Sequence, residues 1–160
     1  MNFRIGFGID IHQLKEGEEL WLGGLRIPAE KGAVGYSDAD VLIHAIIDAL
    51  LGALNLNDIG RRFPDTSPEY KNIDSKILLE KTVKLMAGKD YEIVNIDSTV
   101  CIQEPKISPY IERIKTTLAT VMDIPAENIS IKATTTEKLG FEGRQEGITA
   151  YAVVLLRNKI

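Results

Sequence analysis

The N-terminal stretch from Phe3 to His12 constrains the fold more tightly than any other part of the chain. Phe3, Ile5, Phe7, Ile9 and Ile11 alternate with Arg4, Gly6, Gly8, Asp10 and His12. Alternation with period two makes a strand with one apolar and one polar face. The polar face is reduced to glycine just before Asp10 and His12. Glycine weakens a strand interior, so Gly6 and Gly8 mark a place where a ligand or another backbone comes close. Asp10 and His12, two residues apart, project from the same face.

The chain holds two histidines, and the other is His44. Val41, Leu42, Ala45, Ile46, Ala49, Leu50 and Ala53 recur around it at helical spacing. Ser37, with Asp40 three residues on, makes a variant capping box for this helix. The hydroxyls of Tyr36 and Ser37 at the helix start offer a phosphate site. Asp40 and Asp48, each one turn from His44, are candidates to orient its imidazole. One carboxylate and two imidazoles make a three-ligand metal site with an open position, and a catalytic zinc ion is the reading adopted for Asp10, His12 and His44. The same set also matches the facial triad that holds ferrous iron in oxygenases. The plain alternative is polar groups at a strand end and a surface histidine on an amphipathic helix.

The remaining chain alternates short elements with glycine- and proline-marked loops. Leu20–Leu22 and Leu25–Ile27 flank Gly23-Gly24 and read as a hairpin. The segment 30–36 reads as a loop. Residues 55–71 hold Pro64 and Pro68 without periodicity, as expected of a substrate lid or a solvated connection. Asp74 caps a second helix that Gly88 ends, and Ser108-Pro109 starts a third. Strands are expected over 91–103, 129–133 and 148–156. The Thr134-Thr135-Thr136-Glu137 run at a strand end offers hydroxyls and a carboxylate to phosphate and magnesium, or is simply a turn. The expectation is one α+β domain over residues 1–160. It has a mixed four-stranded sheet with helices on one face, plus a small N-terminal hairpin. The bare sheet face then needs cover, which self-association supplies.

A net charge of −4 argues against nucleic acid as a partner, and no apolar run approaches the roughly 18 residues that span a bilayer. Cys101 stands alone, which excludes an internal disulfide and fits a reducing compartment. The first strand begins near Phe3, which leaves no room for a leader peptide. The expected location is therefore cytoplasmic.

Five segments in order carry a resemblance across essentially the whole chain. They are Gly8-Ile9-Asp10-Ile11-His12, Ser37-Asp38-Ala39-Asp40 followed by His44, Asp58-Ile59-Gly60, Phe63-Pro64-Asp65-Thr66, and the run from Lys132 to Gly140. The chain resembles the 2-C-methyl-D-erythritol 2,4-cyclodiphosphate synthases of the non-mevalonate isoprenoid pathway. The resemblance implies a homotrimer with active sites between subunits. It implies conversion of 4-diphosphocytidyl-2-C-methyl-D-erythritol 2-phosphate to the cyclic diphosphate with release of CMP. It also implies one zinc per subunit on Asp10, His12 and His44, and magnesium or manganese on Glu137 with the substrate diphosphate. Ser37, Asp58, Ile59, Gly60, Phe63, Pro64, Asp65, Thr66 and Ser67 match segments around the methylerythritol and phosphate. Ile102, Gln103, Glu104, Pro105, Lys106, Ile107 and Ser108, with Thr134, Thr135 and Thr136, match the cytidine-diphosphate pocket of the neighbouring subunit. Phe141 and Arg144 match further substrate contacts, and the loop with Arg144 and Glu146 borders an axial cavity for an isoprenoid diphosphate. Tyr36 departs from the pattern, which has histidine there. With Thr135 that position steadies the phosphate in the transition state. A tyrosine hydroxyl donates a hydrogen bond but cannot carry the imidazolium's charge. A non-catalytic trimeric carrier of an isoprenoid or nucleotide diphosphate is the rival reading.

Overall fold

The computed structural model describes residues 2–159. Its main sheet holds five strands in the order β4-β1-β7-β5-β6. These are β1 (Phe3–Glu16), β4 (Lys31–Ala33), β5 (Tyr91–Cys101), β6 (Ile129–Thr134) and β7 (Gly147–Asn158). β5 and β6 are parallel and the other pairs antiparallel, so the sheet is mixed as expected. β2 (Leu20–Leu22) and β3 (Leu25–Ile27) form the separate hairpin, turned by Gly23 and Gly24 with φ of 60° and 78°. β4 is the short fifth strand. The sequence reads as loop there, yet it pairs with the far end of β1 at Leu14–Glu16.

Helices α1 (Val41–Ala53), α3 (Ser75–Ala87) and α4 (Ile111–Met122) cover one face of the sheet, and α2 (Ile59–Arg62) and α5 (Gly140–Gly143) are single turns. α1 is the central element. It lies between the sheet, the hairpin and α3, and it is buried nearly all round. Its closest approach explains the two glycines of β1. A Cβ on Gly6 would stand 1.8 Å from the Ala49 carbonyl oxygen, and one on Gly8 would stand 2.0 Å from that of Ala45. The close neighbour is therefore backbone rather than ligand. The glycine face of β1 is turned to the helices, and the apolar face, with Phe3, Ile5, Phe7, Ile9 and Ile11, is exposed. Tyr151 and Val153 of β7 continue that exposed apolar face, being paired with Ile9 and Phe7.

The cap of α1 differs from the sequence reading. Asp40, not Ser37, is the N-cap residue. Its carboxylate is fully buried and accepts from the N–H groups of Ile43, Gly23 and Gly24 at 3.0, 2.9 and 2.7 Å. It fastens the hairpin turn to the helix start. Burial, and then the charge of Asp38, push its pKa up against the pull of these three donors. The Asp40 carboxylate therefore takes the free N–H of Ile43 at the helix start, while the Tyr36 and Ser37 hydroxyls stay in the wall of a neighbouring cavity. The expected long connection 55–71 contains α2, capped by Asp58, and a turn of 3₁₀ helix at 68–70. Gly88 does end α3, though in a right-handed conformation. The third helix starts later than Ser108-Pro109, which form a 3₁₀ turn ahead of α4. Cys101 is free and half-buried at the end of β5. No helix among the described residues is long and apolar enough to cross a membrane.

Candidate active site

β1 delivers Asp10 and His12 on the face turned to α1, opposite Ala150 and Ile148 of β7. α1 delivers His44 one turn past its cap. The three side chains meet. Asp10 Oδ2 lies 2.9 Å from His12 Nε2 and 3.1 Å from His44 Nδ1, and the two nitrogens are 3.2 Å apart. All three ligand atoms fall within 4.8 Å of one another. Tetrahedral ligands about 2.0–2.1 Å from a zinc ion stand roughly 3.3 Å apart, so an opening of a few tenths of an ångström admits the ion.

The tautomers suit a metal as well. His12 Nδ1 donates to the Val34 carbonyl at 2.9 Å, which leaves the Nε2 lone pair facing the cluster. Gly35 makes room for that ring, since a Cβ there would stand 3.1 Å from its Cε1. His44 Nε2 lies 2.8 Å from Ser75 Oγ and 3.3 Å from Ser37 Oγ, so Nδ1 faces the cluster. The Ser75 hydroxyl and N–H both donate to the Asp38 carboxylate. Ser75 is fully buried. With its proton committed to Asp38, its oxygen accepts from His44 Nε2–H and holds the ring. Asp40 and Asp48, the expected orienting residues, do neither. Asp40 caps the helix, and Asp48 accepts from the Ile59 N–H at 2.9 Å. In sequence Asp74 reads as the helix cap, and Ser75 beside it gives no sign of reaching back to a histidine 31 residues away.

Burial would raise the Asp10 carboxyl, but hydrogen bonds and charge from His12 and His44 outweigh it and hold its pKa at about 2. Burial lowers His12, and the Asp10 carboxylate beside it more than offsets this, so its pKa lies above the usual imidazole value. The cluster is an anion with two lone pairs turned toward it, the electronic demand of a divalent cation.

Beside the cluster lies a cavity of about 260 Å³. Tyr36, Ser37, Ile59, Gly60, Phe63 and Asp65 line it with both histidines, and Tyr70, Ile73 and Leu78, which the sequence did not single out, complete it. Asp58, Pro64, Thr66 and Ser67 do not line it. Asp58 caps α2 through the Arg61 N–H, and the Ser67 carbonyl accepts from the Tyr36 hydroxyl at 3.2 Å. Ile102, Gln103, Pro105, Lys106, Ile107, Ser108, Thr134 and Thr135 line a separate cavity of about 130 Å³ with Ala133. Glu104 is outside its lining, and its bond to Pro105 is cis. The two cavities share no lining residue. Glu137 is exposed and belongs to no metal cluster among the described residues. Thr136 bonds the Leu139 carbonyl. The Phe141 ring lies against Gly147, and Arg144 is paired with Glu146 at 2.9 Å. Within one chain, then, the first half of the expected site is assembled and the second half stands apart.

Known proteins match this chain along nearly its whole length. A Bacteroides thetaiotaomicron protein named 2-C-methyl-D-erythritol 2,4-cyclodiphosphate synthase is 63% identical over 156 residues, 98% of each chain. Among solved structures, a CDP complex of IspF from Plasmodium falciparum matches with a TM-score of 0.88 and 38% identity, covering 99% of this chain and 98% of that one. The bifunctional IspDF of Campylobacter jejuni matches with a TM-score of 0.94 and 38% identity over 98% of this chain, which spans only 42% of that longer protein. With the YgbB family matching residues 3–157, sheet, hairpin and metal cluster included, the chain belongs to that family.

Proposed function

We propose that this protein converts 4-diphosphocytidyl-2-C-methyl-D-erythritol 2-phosphate to 2-C-methyl-D-erythritol 2,4-cyclodiphosphate and CMP. It acts as a phosphorus–oxygen lyase of isoprenoid biosynthesis. The Asp10–His12–His44 cluster beside the 260 Å³ cavity carries the reading. A zinc ion held by these three residues, and magnesium or manganese held by Glu137, supply charge to the substrate diphosphate.

The substrate's own 2-phosphate is the nucleophile, so the chain needs no nucleophile of its own. Two serine hydroxyls do reach His44, but Ser75 is buried and its proton is taken by Asp38, which suits orientation rather than attack. The task of the residues is to hold two anionic groups in line, and alignment of that kind is worth about 7–11 kcal/mol. Ile59, Gly60, Phe63 and Asp65 bound the cavity that takes the methylerythritol, and Ser37 and Tyr36 place hydroxyls in its wall. Thr134 to Thr136 and Ile102 to Ser108 take the cytidine diphosphate on a second subunit.

Two features of the single chain support the homotrimer that the resemblance implies. The sheet face with Ile5, Phe7, Ile9 and Val153 is apolar and exposed, Ile5 at 73%. Such a face is normally covered by a partner. The two cavities are separate in one chain, as a site shared between neighbours would require. The cavity for an isoprenoid diphosphate lies on the threefold axis that this face surrounds. The proposed location is the cytoplasm.

Phosphorus NMR tests the reaction. Protein with substrate and magnesium should yield a cyclic diphosphate and CMP, lose this on zinc removal and regain it on adding zinc. Intact substrate with bound ligand in every tube would leave the carrier reading, which Tyr36 in the histidine position favours.

A further inference from the structure

Arg61 and Arg62 close α2, and Lys81 and Lys84 lie one turn apart on α3. With Phe63, Tyr70 and Leu85 they line a cavity of about 580 Å³ that has no carboxylate in its lining. The chain as a whole carries a net charge of −4, so four cations on one concavity form a local excess. Acidic neighbours ordinarily neutralise such a cluster. Here, among the described residues, none of the four is in an ion pair. Glu69 and Glu80, on the same segments, stay out of the lining. The Lys81 ammonium stands 5.3 Å above the Tyr70 ring, which fixes it over the cavity floor.

That floor is apolar. Phe63 and Tyr70 meet edge to face with centroids 5.6 Å apart, and Leu85 extends the surface. The same two rings line the metal cavity, so the aromatic pair is a wall common to both. Two guanidinium forks match phosphate oxygens, two ammonium groups add charge, and the floor accepts carbon. The volume is that of a small-molecule site. Four cations gathered in one concavity of an acidic chain do not make the basic stripe that nucleic acid requires.

We propose that this cavity binds a small phosphorylated metabolite, a phosphomonoester or diphosphate with an apolar carbon portion. Its occupancy is felt at the metal cavity through Phe63 and Tyr70. Coupling of that kind is reciprocal, so substrate and anion alter each other's affinity by the same factor. The coupling rests on reading the metal cavity as the substrate site; the binding does not.

The test uses zinc-loaded protein saturated with CDP to fill the nucleotide site. Inorganic phosphate, inorganic pyrophosphate, phenyl phosphate and, as a control, polyglutamate are titrated calorimetrically without magnesium, at two salt concentrations. Saturable, salt-sensitive binding is expected, with phenyl phosphate tighter than inorganic phosphate. Lys81→Ala with Lys84→Ala should weaken it by about tenfold, the scale of two exposed ion pairs, and leave turnover without added anion unchanged. In the wild type pyrophosphate should shift the KM for substrate, and in the double variant it should not. Binding that survives the double variant and vanishes in His44→Ala puts the anion at the metal site and overturns the proposal. Binding of polyglutamate but of neither phosphate probe overturns it in favour of an acidic partner protein. Anion binding with an unmoved KM overturns the coupling alone, whereas absence of turnover under all conditions refutes the substrate-site reading instead.

Discussion

Around His44 the ring nitrogens of the cluster and the ligand oxygen of Asp10 each have a partner inside the chain, and Ser75, which holds His44, is fully buried. Around Glu137 the backbone folds on itself. Glu137 and Lys138 sit in the left-handed region at φ 53° and 64°, and Gly140 follows at 68°. The hydroxyls of Thr134, Thr135 and Thr136 are spent on neighbouring backbone atoms. A bond from the Lys138 N–H to Gln103 Oε1 ties this turn to the segment 102–108. The first region is a finished pocket. The second is a rigid turn that holds Glu137 out toward solvent. The contrast fits the proposed division of the site between subunits, with each part preformed in its own chain.

The largest expected effect breaks one half at a time. His44→Ala should empty the zinc site and lower turnover by more than about a hundredfold; metal analysis and the NMR assay read both. Glu137→Ala should lower turnover with zinc retained. Trimers reassembled from the two inactive variants should regain activity, since some interfaces then pair an intact metal half with an intact Glu137 half. No recovery would mean that both halves act within one chain.

Backbone crowding separates the regions next. Gly8→Ala puts a methyl group 2.0 Å from the Ala45 carbonyl and must part β1 from α1. A cost of about 3 kcal/mol, seen as a fall of roughly 6–12 °C in Tm, is expected, with weaker zinc binding because Asp10 and His12 ride on that strand. Gly140→Ala meets nothing nearer than 3.4 Å and suffers only from its φ of 68°. About 1 kcal/mol is expected there, with zinc binding intact. Equal losses at both positions would refute the idea that the metal half depends on close strand–helix packing.

Smaller again is the effect of the buried serine. Ser75→Ala removes the nearer acceptor for His44 Nε2–H and one of the donors to Asp38, which keeps the N–H groups of residues 75 and 40. Zinc affinity should fall by about 10- to 100-fold, as for other outer partners of ligating histidines. The visible spectrum of the cobalt-substituted protein should change, circular dichroism should not, and Ser75→Thr should recover part of the affinity. Unchanged cobalt spectrum and affinity would show that the ring is held by packing alone.

What the sequence could and could not reveal follows the same division. Asp10, His12 and His44 were legible because the chain holds only two histidines and the spacings fit a strand and a helix. The hairpin and the mixed sheet were legible from Gly23-Gly24 and from strand periodicity. The direction of β1 was open, because alternation says that two faces differ and not which one meets the helices. Here the apolar face points outward and the glycine face meets α1. The capping pattern misled at Ser37 because Asp40 satisfies three donors at once, two of them from a hairpin 16 and 17 residues away. β4 was missed because three residues carry too little pattern to be seen as a strand. Ser75 and Asp38 were missed because hydrogen bonds across 31 and 37 residues leave no local trace.

Tyr36 gives the smallest and sharpest test. It lines the metal cavity, yet its hydroxyl donates to the Ser67 carbonyl at 3.2 Å, and its own carbonyl accepts from the Asn72 N–H at 2.8 Å. Both bonds fasten it to the segment that carries Phe63 and Asp65. Tyr36 therefore joins the cavity wall to the 63–72 segment and offers its hydroxyl to the phosphate only by releasing Ser67. Tyr36→Phe forfeits one half-exposed hydrogen bond, worth about 0.5–1.5 kcal/mol, so turnover should slow by roughly 2- to 10-fold with zinc content unchanged. A rise in KM with kcat constant would assign the hydroxyl to holding the segment, and a fall in kcat alone would assign it to the transition state. Tyr36→His sharpens the result. An imidazolium at this wall can add charge that phenol cannot, so a gain in kcat that grows as pH falls below about 6.5 would show the lost histidine's role still vacant. A rate that ignores both substitutions would leave the wall position without a part in phosphate transfer.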